Sequence, residues 1–472
     1  MSARPDARPR AGSLLRTDPT RDSAVPAEVL HARRALIALY FVTGIAVATW
    51  LSRLPSIKQM LDLSAAELGS VLVVGSVGSL AMVLAAGALT NRWGSRNGLV
   101  IGAAMFSVAN VLVGLGPTMG STLVLAVGIL ISSSSYAVAN VPLNLESVVI
   151  ERGMGRSVVP QFHAAFSIGS VTGSLLGAAA SWAGVPVFAH FLALSLGTLA
   201  FRVVVVPRAV LPVPAELTAA AGAGSGPRGG VRTALGAWRE RRTLVIGVIV
   251  MTGILSEGSA NNWLTVAVVE GFEQTEAVAA IVFGVFTGAM TLARLVGTRV
   301  IDRYGRVAVL IASSAASLVG LLLFSLGPSL ATAVVGAVGW GLGAGLVFPI
   351  GVAAVSGDRR RMAGRVSVLS TFGSTASIVA PPLLGAAAET MGVRHALVLI
   401  VGGFVVAIAL ARTVGTDEAE QVTEPHAVVP TTEDAPRVEP TTGAETDLVA
   451  SIDLESDALG VGAAPVAPAL VR

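Results

Sequence analysis

Cysteine is absent from the 472 residues, so neither disulfides nor thiolate metal sites are available. Lysine is almost absent, with Lys58 standing alone. A GxxxxGK phosphate loop needs a lysine, and none stands in that setting, which excludes ATP binding of that kind. Histidine is scarce too. His31, His163, His190, His395 and His426 include no pair at metal-ligand spacing on one helix, so no metal site is expected. Charge is the most telling shortage: 13% of residues are charged against 53% hydrophobic. A soluble chain of this length needs more charge to cover its surface. What is abundant is glycine, with 53 residues, as suits helices that pack closely in lipid. No catalytic constellation stands out, so the chain is not read as an enzyme, and no cofactor is expected. Any uphill work would draw on an ion gradient or on a separate protein.

The net charge of +3 hides an uneven distribution. Residues 413–472 hold twelve acidic residues and two arginines, leaving the remainder strongly basic. The arginines fall between apolar runs, which points to membrane topology and away from nucleic acid. Apolar runs long enough for ~30 Å of hydrocarbon recur at 34–52, 67–89, 98–116, 121–143, 162–182, 185–206, 244–268, 278–300, 307–326, 330–355, 367–388 and 393–412. The expected fold is therefore an all-α integral membrane protein of about twelve transmembrane helices in two pseudo-symmetric six-helix halves, 34–206 and 244–412. A Pro/Gly/Ala-rich linker, 207–243, joins them. Residues 1–33 and 413–472 read as disordered tails. Arginine marks alternate loops (Arg92 and Arg96; Arg152 and Arg156; Arg239, Arg241 and Arg242; Arg303 and Arg306; Arg359, Arg360, Arg361 and Arg365). By the positive-inside rule these loops, and both termini, are expected in the cytoplasm.

The halves also resemble each other. Arg92-Trp93-Gly94 matches Arg303-Tyr304-Gly305 at an offset of 211, Pro142 matches Pro349 at 207, and the LLGAAA run at 175–180 recurs at 383–388. Internal repeats of this kind build alternating-access transporters. The segment Gly87-Ala-Leu-Thr-Asn91-Arg92-Trp93-Gly94-Ser95-Arg96 resembles the loop 2–3 signature of the major facilitator superfamily, with Asn91 at the usual aspartate and Ser95 at a usual basic position. Its second copy, Asp302-Arg303-Tyr304-Gly305-Arg306, keeps acid and base. The resemblance implies a cytoplasmic conformational latch at these residues; an ordinary basic loop is the plainer reading. Trp50-Leu-Ser-Arg53-Leu-Pro, Phe162-His163-Ala-Ala-Phe-Ser-Ile-Gly169, Glu257-Gly-Ser-Ala-Asn261-Asn262-Trp263 and Phe348-Pro349 resemble a bacterial branch of that superfamily with poorly defined substrates. That branch usually has aspartate where this chain has Asn262. The resemblance implies a multi-pass protein of the bacterial inner membrane, working as a monomer.

Glu257 lies midway along the seventh span, where a carboxylate is expensive and normally faces a cavity. It is the candidate proton-coupling residue; a glutamate tying two helices together is the structural alternative. Candidate cavity residues are Trp50, Arg53, Asn140, Asn144, His163, Asn261, Asn262, Trp263 and Arg294. For Arg53 the alternative is snorkelling, for His163 a packing hydrogen bond, and for the tryptophans interface anchoring. Glu146 is expected to pair with Arg152 or Arg156. Gly169–Gly177 partly resembles a drug/proton antiporter signature but lacks its proline, so it reads as close helix packing, as does Gly339–Gly345. The expected function is secondary active transport of a small solute, coupled to protons, with symport favoured. A drug or metabolite antiporter and a non-transporting membrane sensor or scaffold are the alternatives.

Overall fold

The computed structural model describes residues 25–211, 236–356 and 361–415. Most of the expected N-terminal tail, the middle of the linker and nearly all of the acidic tail lie outside them. Among the described residues, twelve helices are long and apolar enough to cross a membrane. The first half contains α1 (Ala27–Ser52), α2 and α3 (together Ala65–Thr118, divided at Gly94), α4 (Thr122–Met154), α5 (Val159–Trp182) and α6 (Val187–Ala209). The second half contains α7 (Arg241–Gly271), α8 (Glu276–Tyr304), α9 (Arg306–Leu326), α10 (Leu330–Val355), α11 (Met362–Met391) and α12 (Val393–Val414). A short helix, Leu54–Met60, lies between α1 and α2.

Helices are what hydrocarbon demands, because every N–H and C=O must be satisfied within the segment. Hydroxyls embedded in these spans turn back to the preceding turn in the same way. Thr43 donates to Leu39 O, Ser195 to Phe191 O and Thr291 to Thr287 O. Each expected span is met by a helix, but several helices run further. α1 starts at Ala27, ahead of the expected 34, because Pro26 sets an entry angle and Glu28 suits the positive end of the helix. α4 continues through Pro142 to Met154 and ends where Gly155 turns left-handed at φ 63°.

The break between α2 and α3 is a single residue. Gly94 adopts φ 77°, ψ 161°, and Gly305, between α8 and α9, adopts φ 79°, ψ 159°. Almost only glycine visits that backbone region. The two halves thus reverse direction by the same device at positions 211 apart in sequence.

Glycine serves packing elsewhere. A side chain at Gly169, Gly173 or Gly177 on α5 would overlap α1 at Phe41 O, Ile45 O or the Ser52 hydroxyl. Gly320 and Gly336 let α9 and α10 touch backbone to backbone. Between the halves, α2 packs on α11 and α5 on α8. Gly69 sits against Pro381 O, and Gly385 against Ala65 O. The apolar core is shared unevenly. One cluster joins Leu51, Leu54, Ile57, Leu68 and Leu72 of the first half to the second half. The first half's other end, around Leu36, Ile150 and Phe162, forms a separate cluster. The halves are welded at one end of the bundle.

Candidate functional site

Between the halves lies a cavity of about 530 Å³, within the range usual for small-molecule sites. Its wall draws on α1 (Val47, Trp50), α2 (Ser76, Ser79), α4 (Ser132, Ser133, Tyr136), α7 (Ile254, Asn261, Asn262), α10 (Phe348) and α11 (Ser370, Ser374). Among the described residues, no Asp, Glu, Lys or Arg lines it. Helical spacing explains the α7 contribution, since Ile254 and Asn261 are two turns apart on one face. Glu257 and Gly258 fall on the turn between them.

Glu257 is not solitary. Its Oε2 lies 2.8 Å from Arg294 Nη2 of α8, and Arg294 Nε also donates to Gly345 O of α10 at 3.3 Å. The Glu257 and Arg294 side chains are 31% and 35% exposed, a partly open pair inside a membrane-spanning bundle. On the first half, Tyr40 donates to Asn144 Oδ1 at 3.4 Å, Asn144 Nδ2 donates to Asn140 O and Oδ1, and His163 meets Tyr40 edge-on at 5.6 Å. The expected candidates fall into three groups: Trp50, Asn261 and Asn262 on the cavity wall; the Glu257–Arg294 pair; and the Asn140–Asn144–His163 patch.

Two candidates lie elsewhere. Trp263 is 1% exposed and packed in the core, one position round the helix from the cavity face. Arg53 is 4% exposed at the welded end. There it neither snorkels nor lines the cavity. Its Nη2 donates to Val185 O at 3.0 Å, and its Nε lies 3.3 Å from Glu276 Oε2 of the other half. Glu276 also accepts from the Ser56 N–H at 2.9 Å and the Ser56 hydroxyl at 2.7 Å. Lys58 Nζ meets Glu270 at 2.6 Å, and Glu389 accepts from the Ala66 N–H at 2.9 Å. Thr265 donates to Leu51 O at 3.3 Å. A chain of cross-half bonds thus closes the cavity at this end.

The signature residues lie at the opposite end of the bundle. Gly87, Asn91, Arg92, Gly94, Arg96, Asp302, Arg303 and Gly305 are exposed, with Arg306 half-buried. Among the described residues, none of the charged ones holds an ion pair; Arg303 lies over the Tyr304 ring at 5.3 Å. Glu146 is buried and accepts from the Leu211 N–H at 3.2 Å. It thus binds the chain at the end of α6, where sequence suggested Arg152 or Arg156. In the second half, Glu240 ties the start of α7 to Arg365 at 2.7 Å and Arg361 at 3.4 Å. Burial opposes ionisation of Glu240, but the Arg365 hydrogen bond, the Thr243 hydroxyl and the two guanidinium charges hold its carboxyl below the usual range.

Sequence reasoning missed Tyr136, the serines of α4 and α11, and Glu276 as a locking residue. The Ser132–Ser135 run inside an apolar span was the available signal. It also missed Arg202 of α6, a buried cation that bonds Thr43 Oγ1 at 3.2 Å and lies over Phe106 at 5.4 Å.

Comparison with known proteins agrees with this architecture. The family model of the Major Facilitator Superfamily matches residues 246–441. An uncharacterized MFS-type transporter of Yersinia pestis is 27% identical over 353 residues, covering 74% of this chain and 87% of that one. Among solved structures, the nucleoside transporter NupG superposes with a TM-score of 0.64 at 16% identity, over 82% of this chain and 100% of that one. A point variant of the E. coli fucose:proton symporter FucP does so with a TM-score of 0.58 at 16% identity, over 83% and 100%. The family model of the Major Facilitator Superfamily thus covers the second half of the chain, and the first half repeats the same helix order and the same glycine reversal.

Proposed function

We infer that the protein is a secondary active transporter that carries a small solute by alternating access and couples the movement to protons through Glu257. The observation that carries this reading is a central cavity, closed at one end by bonds between the halves, with a partly open carboxylate–guanidinium pair beside it. A carboxylate at mid-bundle takes up or releases a proton only when alternating access wets it, which links its charge to the conformation. Arg294 makes the link specific. The ion pair needs the carboxylate form of Glu257; a proton there frees the guanidinium. The solved fold neighbour described as a fucose:proton symporter is in keeping with such coupling. Positive-inside reasoning puts both chain ends and the Gly94 and Gly305 turns in the cytoplasm. The Arg53–Glu276 end is then external, and the conformation described is open inward. Symport is favoured over drug or metabolite antiport because the 169–177 stripe, the feature nearest an antiporter signature, serves α1–α5 packing. Proteoliposome counterflow of a candidate solute, with and without an imposed pH gradient, tests the reading. Exchange without any gradient-driven accumulation would remove proton coupling.

A further inference from the structure

The cavity wall narrows the solute. Among the described residues its lining carries no ionised side chain, so an ion entering would lose its water with no counter-charge to replace it. Glu257, on the turn of α7 between the wall residues Ile254 and Asn261, faces Arg294 at 2.8 Å, and the two satisfy one another. What the wall does offer is neutral hydrogen bonding. Asn261 and Asn262 both line the cavity, and among the described residues neither side-chain amide has a hydrogen-bond partner. Each amide has two N–H donors and an accepting oxygen, and the serine hydroxyls of α2, α4 and α11 also donate and accept. A hydroxyl or imide of a solute does the same, whereas a hydrocarbon would leave the amides unpaired. The third ingredient is flat and apolar. Trp50 and Tyr136 line the same wall, and such rings are suited to stacking on a cyclic solute. The Thr265–Leu51 bond holds α7 beside α1 close to Trp50 and the asparagines.

We propose that this cavity binds an uncharged ring-bearing solute with several hydrogen-bonding edges, in the chemical class of cyclic polyols, sugars and nucleosides. The ring lies against Trp50 and a polar edge is read by Asn261 and Asn262. The assignment rests on the transporter reading but is separable from it. A neutral solute leaves the Glu257–Arg294 pair free to handle the proton, so substrate recognition and coupling occupy neighbouring groups of residues.

The test uses full-length purified protein and thermal-shift titration with myo-inositol, D-glucose and uridine as neutral probes, ethidium as a cation and succinate as a dianion. At least one neutral probe should stabilise the protein, while ethidium and succinate should not. Asn261→Ala and Asn262→Ala should each weaken that binding about tenfold, which corresponds to about 1.4 kcal/mol. Trp50→Ala should weaken it similarly, with Trp50→Phe retaining most of it. Melting of each variant without solute, and its elution as a single species, separates lost binding from lost folding. Stabilisation by the charged probes alone, no shift with any neutral probe, or neutral binding indifferent to both asparagine changes would overturn the assignment. Proteoliposome counterflow separates the two levels. Exchange of ethidium or succinate would sink the solute class while leaving transport intact, whereas a neutral probe that binds at Asn261 yet never exchanges would sink transport and leave the site.

Discussion

Two glutamates of the second half illustrate how surroundings divide labour. Glu257 is partly open and faces one guanidinium; Glu276 is nearly enclosed and holds three groups of the opposite half. Glu257→Gln removes the charge but keeps hydrogen-bonding capacity toward Arg294. The variant should bind and exchange solute yet fail to accumulate it when vesicles are given a pH gradient. Full accumulation by the variant would leave Glu257 with a structural role only. Glu276→Gln strands the Arg53 guanidinium without its counter-charge, and breaking an enclosed pair costs on the order of 3 kcal/mol. The closed end should therefore open more often. Ser79→Cys on the cavity wall would report this as faster labelling by a membrane-impermeant maleimide added from that side; unchanged labelling would mean that other contacts hold the end shut. Sequence pointed to Glu257 and Arg294 separately but not to their pairing, since 37 residues and a helix reversal separate them. Arg53 and Glu276 were harder still. Arg53 reads as a cavity candidate or a snorkelling cation and Glu276 as a loop charge, and only the docking of one half on the other brings them together.

At the scale of the element, hydropathy made every span legible because a bilayer-crossing helix must be apolar over its whole middle. Helix ends were less legible because helices continue into water wherever propensity allows, as α1 and α4 do. The reversals at Gly94 and Gly305 make a sharper statement about sequence. Both residues have open space around the position of a missing side chain, so crowding does not require glycine there; the backbone angle does. Gly94→Ala and Gly305→Ala should each lower the melting temperature, at a cost on the order of 1–3 kcal/mol. Gly87→Ala makes the control. That residue also faces open space but is ordinary helix, where alanine is favoured by up to ~1 kcal/mol, so its melting temperature should hold or rise. Equal losses at all three positions would contradict the angle argument. The signature's glycines are thus of two kinds, a distinction that the pattern alone does not reveal.

For the whole molecule, the arrangement of its ends can be read directly, because the chain has no cysteine to remove first. Single-site variants Ser157→Cys, beyond α4, and Glu273→Cys, before α8, should label from opposite sides of intact cells, with Glu273→Cys reacting from outside. Reaction of Ser157→Cys from outside would invert the proposed topology and the direction in which the cavity opens. The closed end has a further consequence for speed. Several of its bonds run from a carboxylate to a backbone N–H or a hydroxyl, as at Ser56 and Ala66. Water can replace such bonds nearly one for one as the halves part, so the net loss per bond is only about 1 kcal/mol. The apolar cluster around Leu51, Leu54 and Ile57 offers no such exchange, so it sets most of the resistance to parting, while the polar bonds beside it act as a zip, undone tooth by tooth with solvent filling each gap.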